Sequence, residues 1–325
     1  MRLVFAGTPA AAIPTLRTLA RQHEILAVVT RPDAPLGRKR VLTPSPVAQA
    51  AEDLGLPVIK AARLDDEATG RIAALRPELG VIVAYGGLVR EPLLSTPEHG
   101  WINLHFSLLP AWRGAAPVQR ALIAGDPELG VSVFQLVPAL DAGDLFATRS
   151  VPLQSDANAD FALDVLAHDG AGLTAEVIAG IENGTAVAVP QEGEISLAPK
   201  LTLEDGLLDW TLPVEAVYAR FRGVTPEPGA HTTVAGTRLK LIEARPADAE
   251  PLSPGEIAAT KQALLIGTAT TPLEVRRVQP AGKAPMNATD WWRGFRAPAQ
   301  EGSAQEGSAQ TGSTKAGDDT IRAGA

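Results

Sequence analysis

Apolar residues in the first half of this chain fall into short runs separated by amphipathic stretches, the pattern of buried strands alternating with helices. Leu3 to Ala6 is uninterrupted, and Gly7-Thr8-Pro9 turns out of it into a helix over Ala10 to Arg21. His23 to Thr30 is a second strand, so this opening unit predicts parallel pairing with a right-handed crossover. Val47 to Gly55 and Asp65 to Leu75 read as helices around a short strand at Pro57 to Ile59. Leu79 to Tyr85 is apolar almost throughout, as a central strand covered on both faces should be. Gly86-Gly87 end it, and glycine lets backbone approach a ligand closely. A short helix is expected over Leu88 to Leu94.

The stretch Trp101 to Gln119 breaks this pattern. Asn103, His105 and Ser107 occupy alternate positions, so an extended strand presents an amide, an imidazole and a hydroxyl on one face. Ile102 and Leu104 point the other way, and Pro110 stops the ladder. Arg113-Gly114 follows, then a helix over Ala115 to Ala124 with Pro117 in its first turn. Further strands are expected at Gly130 to Leu136 and Ala147 to Leu153, joined by the turn Leu140 to Asp144. A long helix covers Ala157 to Ile181.

After Thr185 the periodicity loosens. Val214 to Phe221 reads as a helix, and Ala230 to Val234, Arg238 to Ala244, Ala263 to Gly267 and Leu273 to Gln279 as short strands with frequent turns, the pattern of a small barrel. Beyond Arg296 come the repeats AQEGS, AQEGS and AQTGS, whose small polar composition predicts disorder. The organisation expected is therefore α/β: a Rossmann-like, mostly parallel sheet domain (1–184), a linker (185–206), a small OB-like β-barrel domain (207–296) and a disordered tail (297–325).

Composition narrows the function. The 325 residues carry a net charge of −8, which argues against an indiscriminately basic nucleic-acid binder. The charge is uneven, because residues 207–296 hold 11 Lys/Arg against 9 Asp/Glu. No run approaches the roughly 18 apolar residues of a membrane span, and the amino terminus does not resemble a signal peptide. Cysteine is absent, which excludes disulfides and thiolate metal sites. The five histidines lack metal-ligand spacing. A cytoplasmic protein without a metal is expected, and nothing demands more than a monomer.

A polar cluster at the carboxyl end of a buried strand is where open α/β sheets place their ligands. An imidazole relays protons or donates to an oxyanion, a carboxylate fixes its tautomer, and a carboxamide is a neutral donor. Asn103, His105 and Asp141 thus form a candidate constellation, although a lone histidine on a strand also reads as structural. Gly7 alone makes no dinucleotide fingerprint. The loop 31–46 carries Arg38-Lys39-Arg40, a charge run that fits either a solvated loop or a phosphate contact.

Asn103-Leu104-His105-Phe106-Ser107-Leu108-Leu109-Pro110 with Arg113-Gly114, and the later Leu140-Asp141-Ala142-Gly143-Asp144, resemble the N-x-H-x-S-L-L-P-x-x-R-G and L-D-x-G-D motifs of the folate-dependent formyltransferases. The resemblance implies catalytic roles for Asn103, His105 and Asp141. It implies 10-formyltetrahydrofolate as co-substrate, seated against Ala84, Tyr85, Gly86, Gly87 and Leu88 and against Ser107, Leu108, Leu109 and Pro110. Arg31-Pro32-Asp33 through Gly37-Arg38-Lys39-Arg40 to Val47, and Ala198-Pro199-Lys200-Leu201, are similar to the inserted loop and linker of members that formylate initiator methionyl-tRNA. They imply tRNA contacts at Arg38, Lys39, Arg40 and Lys200. Relatives acting on a sugar-nucleotide amine or a purine precursor would keep the three polar groups but have no need of the basic loop. A catalytically silent RNA-binding protein is disfavoured by all three groups being present. Phe106, where glycine is frequent, and Pro138, within Val137-Pro138-Ala139, depart from the family pattern beside the folate pocket.

Overall fold

The computed structural model describes residues 1–37, 39–295 and 322–324, which form two compact units: residues 1–121 with 126–200, and residues 122–125 with those from Leu201 on. The division falls inside the stretch read as linker.

The first unit contains strands β1 (Arg2–Gly7), β2 (Glu24–Thr30), β3 (Ala34–Leu36), β4 (Val41–Thr43), β5 (Val58–Lys60), β6 (Leu79–Val83), β7 (Trp101–His105), β8 (Arg113–Gly114), β9 (Leu129–Gln135), β10 (Leu145–Val151) and β11 (Leu197–Ala198). Its helices are α1 (Ile13–Ala20), α2 (Pro46–Asp53), α3 (Asp66–Ala74) and α5 (Ala159–Glu182), while α4 (Pro117–Ala124) leads into the second unit. Seven strands form one sheet in the order β10-β9-β7-β6-β1-β2-β5. The pairs from β5 to β7 are parallel, whereas β9 and β10 join antiparallel at one edge. The sheet is thus Rossmann-like and mostly parallel, with chemistry-bearing carboxyl ends gathered on one rim.

Local packing explains the central strands. All five residues of β6 are buried, and Gly80 is there because any Cβ would run into the Trp101 indole. That fully buried indole donates its N–H to the Leu93 carbonyl at 2.8 Å.

Three expectations in this unit need correction. Strand β7 ends at His105, so Ser107 lies in the loop after it, its hydroxyl turned to the Ala111 carbonyl, and not on the strand face with Asn103 and His105. The helix over Leu88 to Leu94 is absent, and only the 3₁₀ turn Leu93–Ser95 forms. Pro92 removes an N–H and disfavours helical backbone at Glu91, which breaks the run. The loop 31–46 is not irregular: β3 and β4 pair as an antiparallel hairpin around Gly37, a position at φ 69° that glycine suits.

In the second unit, α6 (Val214–Gly223) and α7 (Ala288–Gly294) accompany β12 (His231–Val234), β13 (Thr237–Pro246), β14 (Ile257–Ala259), β15 (Leu264–Ile266), β16 (Leu273–Pro280), β17 (Met286–Asn287) and β18 (Ala323–Gly324). The sheet runs β14-β15-β16-β13-β12-β18, with β17 on β16. Val214, Val217 and Phe221 of α6 share its core with Leu239, Leu241, Val275 and Val278.

The three described residues of the tail are ordered into this barrel. Ala323 and Gly324 pair with β12, and Arg322 bridges Glu256 next to β14, nearly closing it. The edge of β12 leaves N–H and C=O groups that a short strand satisfies whatever its side chains. The remainder of the expected disordered tail lies outside the described residues. Among those described, no helix is long and apolar enough to cross a membrane.

Candidate active site

Strand alternation puts Asn103 and His105 on the same face of β7, between β6 and β9. His105 is buried, with its ring edge-on to Phe134 at 6.5 Å. Its Nε2 lies 2.9 Å from the Trp112 carbonyl oxygen. A carbonyl only accepts, so the proton of the neutral ring sits on Nε2. Nδ1 is therefore a lone pair, and it faces Asp141 Oδ2 at 3.9 Å. Burial holds the imidazole below its ordinary pKa, against the upward pull of the Asp141 carboxylate and the Trp112 carbonyl. His105 is neutral near pH 7, with its acceptor nitrogen beside a carboxylate.

Asp141 reaches this position on a turn after β9 with φ 44°, a left-handed conformation that non-glycine residues adopt at a cost. Its Oδ2 accepts the Gly114 N–H at 2.8 Å. Gly143 closes the turn: a Cβ there would collide with the Gln135 carbonyl. Gln191 Nε2 donates to the Asp141 and Gly143 carbonyls at 2.9 and 2.8 Å.

The opposite wall is the loop 107–116. The Ser107 hydroxyl donates to the Ala111 carbonyl at 2.6 Å, while Ser132 Oγ donates to the Ser107 carbonyl and accepts the Leu109 N–H. These bonds fold the loop back so that Trp112 reaches His105. Trp112, at φ 63°, has its N–H held by Ser196 Oγ at 2.8 Å. Parallel pairing of β8 with β11 continues the support, and Gly114 permits it, since a Cβ would sit 2.7 Å from the Ala198 carbonyl.

The carboxyl end of β6 lies beside β7, with Val83 paired to Leu104, so the chain leaves β6 at Ala84 level with His105. Ala84, Gly86, Gly87 and Leu88 are exposed, whereas Tyr85 is buried. Asn103 Oδ1 is buried without a hydrogen-bond partner. Such an atom costs on the order of 1–3 kcal/mol until a donor reaches it, so a ligand with an N–H fits this site. Among the described residues, no group of three or more His, Asp or Glu could hold a metal ion.

The basic candidates lie elsewhere. Lys39 and Arg40 are exposed on the β3–β4 hairpin, and Lys200 is exposed at the end of the segment carrying β11. Arg38 lies outside the described residues. The hairpin follows the carboxyl end of β2, on the same rim of the parallel sheet as residues 84–88. Buried Thr30 and Ser45 close its base by a 2.6 Å hydroxyl contact.

Trp112, Ser196 and Gln191 are functional candidates that sequence reasoning misses. Trp112 acts through its carbonyl, which every residue possesses. Ser196 and Gln191 sit in a segment whose composition reads as linker.

Sheet, rim and polar cluster define a Rossmann-like α/β domain with a candidate polar site at the carboxyl ends of its strands. Residues 1–176 match the family model described as Formyl transferase, and residues 200–296 match Formyl transferase, C-terminal domain. The methionyl-tRNA formyltransferase of Clavibacter sepedonicus is 61% identical over 296 residues, covering 90% of this chain and 97% of that one. The enzyme of the same name from Leifsonia xyli subsp. xyli is 60% identical over 294 residues, with the same coverage. Among solved structures, the fold resembles methionyl-tRNA formyltransferase from Clostridium thermocellum (TM-score 0.55, 16% identity, covering 77% of this chain and 95% of that one). It also resembles an N-formyltransferase from Helicobacter canadensis solved with folinic acid and dTDP-3-aminofucose (TM-score 0.65, 16% identity, 86% and 98% covered). The chain belongs to the formyl transferase family, within its methionyl-tRNA formyltransferase branch.

Proposed function

We propose that Asn103, His105 and Asp141 carry the transfer of a formyl group from 10-formyltetrahydrofolate to the α-amine of methionine on initiator tRNA. The observation that supports this most is His105 Nδ1 facing the Asp141 carboxylate at 3.9 Å, two residues along one strand from the unpartnered Asn103 Oδ1. The donor supplies an activated formyl carbon, and residues 84–88 with 107–110 form its seat. Fit is supported by the exposed glycines that follow β6 and by the orphaned Asn103 oxygen.

The neutral amine forms the new C–N bond at the formyl carbon, and the bond from that carbon to the folate nitrogen breaks. A free α-amine has a pKa of about 7.7–8.0, so a usable neutral fraction exists near pH 7. Asn103 Oδ1 accepts an amine N–H and aims the nitrogen lone pair, while Nδ2 donates towards the formyl oxygen as negative charge gathers there. His105 Nδ1 takes the amine proton. The resulting imidazolium is stabilised by Asp141 and by the Trp112 carbonyl, and its charge also favours the oxyanion. Returning that proton to the folate nitrogen completes the balance.

Arg38, Lys39, Arg40 and Lys200 contact tRNA phosphates in this reading, and the second unit follows the backbone through its basic residues. In this reading the reaction takes place in the cytoplasm, with the monomer as the working unit.

The test offers methionyl-initiator tRNA and small amine acceptors separately, each with 10-formyltetrahydrofolate. Formylation of the charged tRNA alone is expected; formylation of a small amine but not of the tRNA would overturn the acceptor assignment.

A further inference from the structure

Gln191 lies in the segment that reads as linker, yet it makes four hydrogen bonds around the site. Its Oε1 accepts from Arg113 Nε at 3.2 Å and Nη2 at 2.6 Å. Its Nε2 donates to the Asp141 and Gly143 carbonyls at 2.9 and 2.8 Å. The orientation is not free to reverse. A guanidinium offers only donors, so it holds the amide oxygen on its own side and turns both N–H groups towards the two carbonyls.

Those carbonyls belong to the turn that keeps Asp141 at φ 44°. The neighbour of Arg113, Gly114, holds the same aspartate through its carboxylate. Strand β8 therefore grips Asp141 at both ends, directly at Oδ2 and through Gln191 at the backbone. The segment carrying Gln191 also anchors β8 itself: the Ser196 carbonyl accepts the Arg113 N–H at 2.9 Å, and β11 pairs with β8. A conformation disfavoured by residue type persists only when its surroundings over-determine it, and this clamp is what over-determines it.

We infer that Gln191 is a positioning residue that sets the Asp141 carboxylate against His105 Nδ1. The inference rests on the role given to Asp141 above. Misplacement of about 1 Å in such a site costs on the order of 100-fold in rate, so the clamp acts on turnover rather than on substrate affinity.

The test compares two variants of the full chain. Gln191→Met keeps the volume, adds no charge and removes all four bonds. Gln191→Glu keeps an acceptor for Arg113 but offers the two carbonyls no hydrogen. Both should lower kcat roughly 10- to 100-fold, with KM for tRNA and for the formyl donor within about twofold, since neither substrate is touched. In Gln191→Met the His105 limb of the pH–rate profile should also move to lower pH, because a displaced carboxylate no longer supports the imidazolium. Should the methionine variant fail to fold, the near-isosteric glutamate variant still decides the matter by its kcat.

Combining Gln191→Glu with Asp141→Asn should add little to the loss caused by Asp141→Asn alone. Wild-type kcat in both Gln191 variants would overturn the inference, and so would losses that multiply in the double variant. Full kcat in Asp141→Asn alone would instead remove Asp141 from the mechanism, and the purpose of the clamp with it.

Discussion

Two regions on the same rim of the sheet are built in opposite ways. Around His105, each wall is held by segments far away in sequence: Ser196 on Trp112, Gln191 on the Asp141 turn, Ser132 on the Ser107 loop. The basic hairpin depends mainly on its own pairing of β3 with β4, with a hydroxyl contact and the Lys60–Asp33 ion pair at its base. Its apolar residues Leu36, Val41 and Leu42 are 60–68% exposed. Proton transfer needs donor and acceptor set within fractions of an ångström, whereas attraction to phosphate is long-ranged and tolerates movement. On the proposed roles, rigidity is placed where geometry would decide the rate, and charge would suffice elsewhere.

The sharpest way to break this contrast is to remove the proposed proton acceptor. His105→Ala is expected to lower kcat by on the order of 100- to 10,000-fold while tRNA affinity stays within about twofold. Single-turnover formylation with a parallel tRNA binding titration checks both, and unchanged turnover would make the histidine structural. Next comes the wall itself. Gly143→Ala drives a Cβ into the Gln135 carbonyl, so the Asp141 turn must shift. Overpacking of this kind costs about 1–3 kcal/mol. Both kcat and the thermal midpoint should fall, and a variant retaining both would show that the turn is soft.

At the hairpin, replacing Arg38, Lys39 and Arg40 together with alanine should leave kcat at saturating tRNA nearly unchanged but raise KM for tRNA. The slope of log affinity against log salt should flatten by roughly 2 to 3, with about 0.7–0.9 lost per phosphate contact. A steady affinity at low salt would remove the hairpin from the tRNA interface.

The smallest effect concerns pH. The proposed mechanism needs a neutral amine and a neutral His105, so log(kcat/KM) for tRNA should rise with unit slope below about 7.7. Burial lowers the pKa of His105, so it remains competent as pH falls through about 6.5, the ordinary imidazole value. The steeper limb, where both groups titrate, is expected only below that pH. A second limb beginning above 6.5 would contradict the buried, neutral imidazole.

Much of this was legible in the residues. Period-two patterning located β7 and put Asn103 and His105 on one face, and apolar runs located the central strands. The expected Leu88 to Leu94 helix failed because Pro92 outweighed the apolar spacing. The hairpin within 31–46 escaped notice because proline and glycine there mark turns without revealing which short flanks pair.

Sequence alone determined which side chains could do chemistry, since amide, imidazole and carboxylate are properties of residue type, and it placed two of the three through strand alternation. Tertiary structure decided where Asp141 comes to rest, which nitrogen of His105 carries the proton, and that Gln191 and Ser196 support the site. The reason is physical. The Trp112 carbonyl and the Gly114 N–H are backbone groups with no side-chain signature, and left-handed φ at Trp112 and Asp141 is imposed by contacts from segments up to 84 residues away.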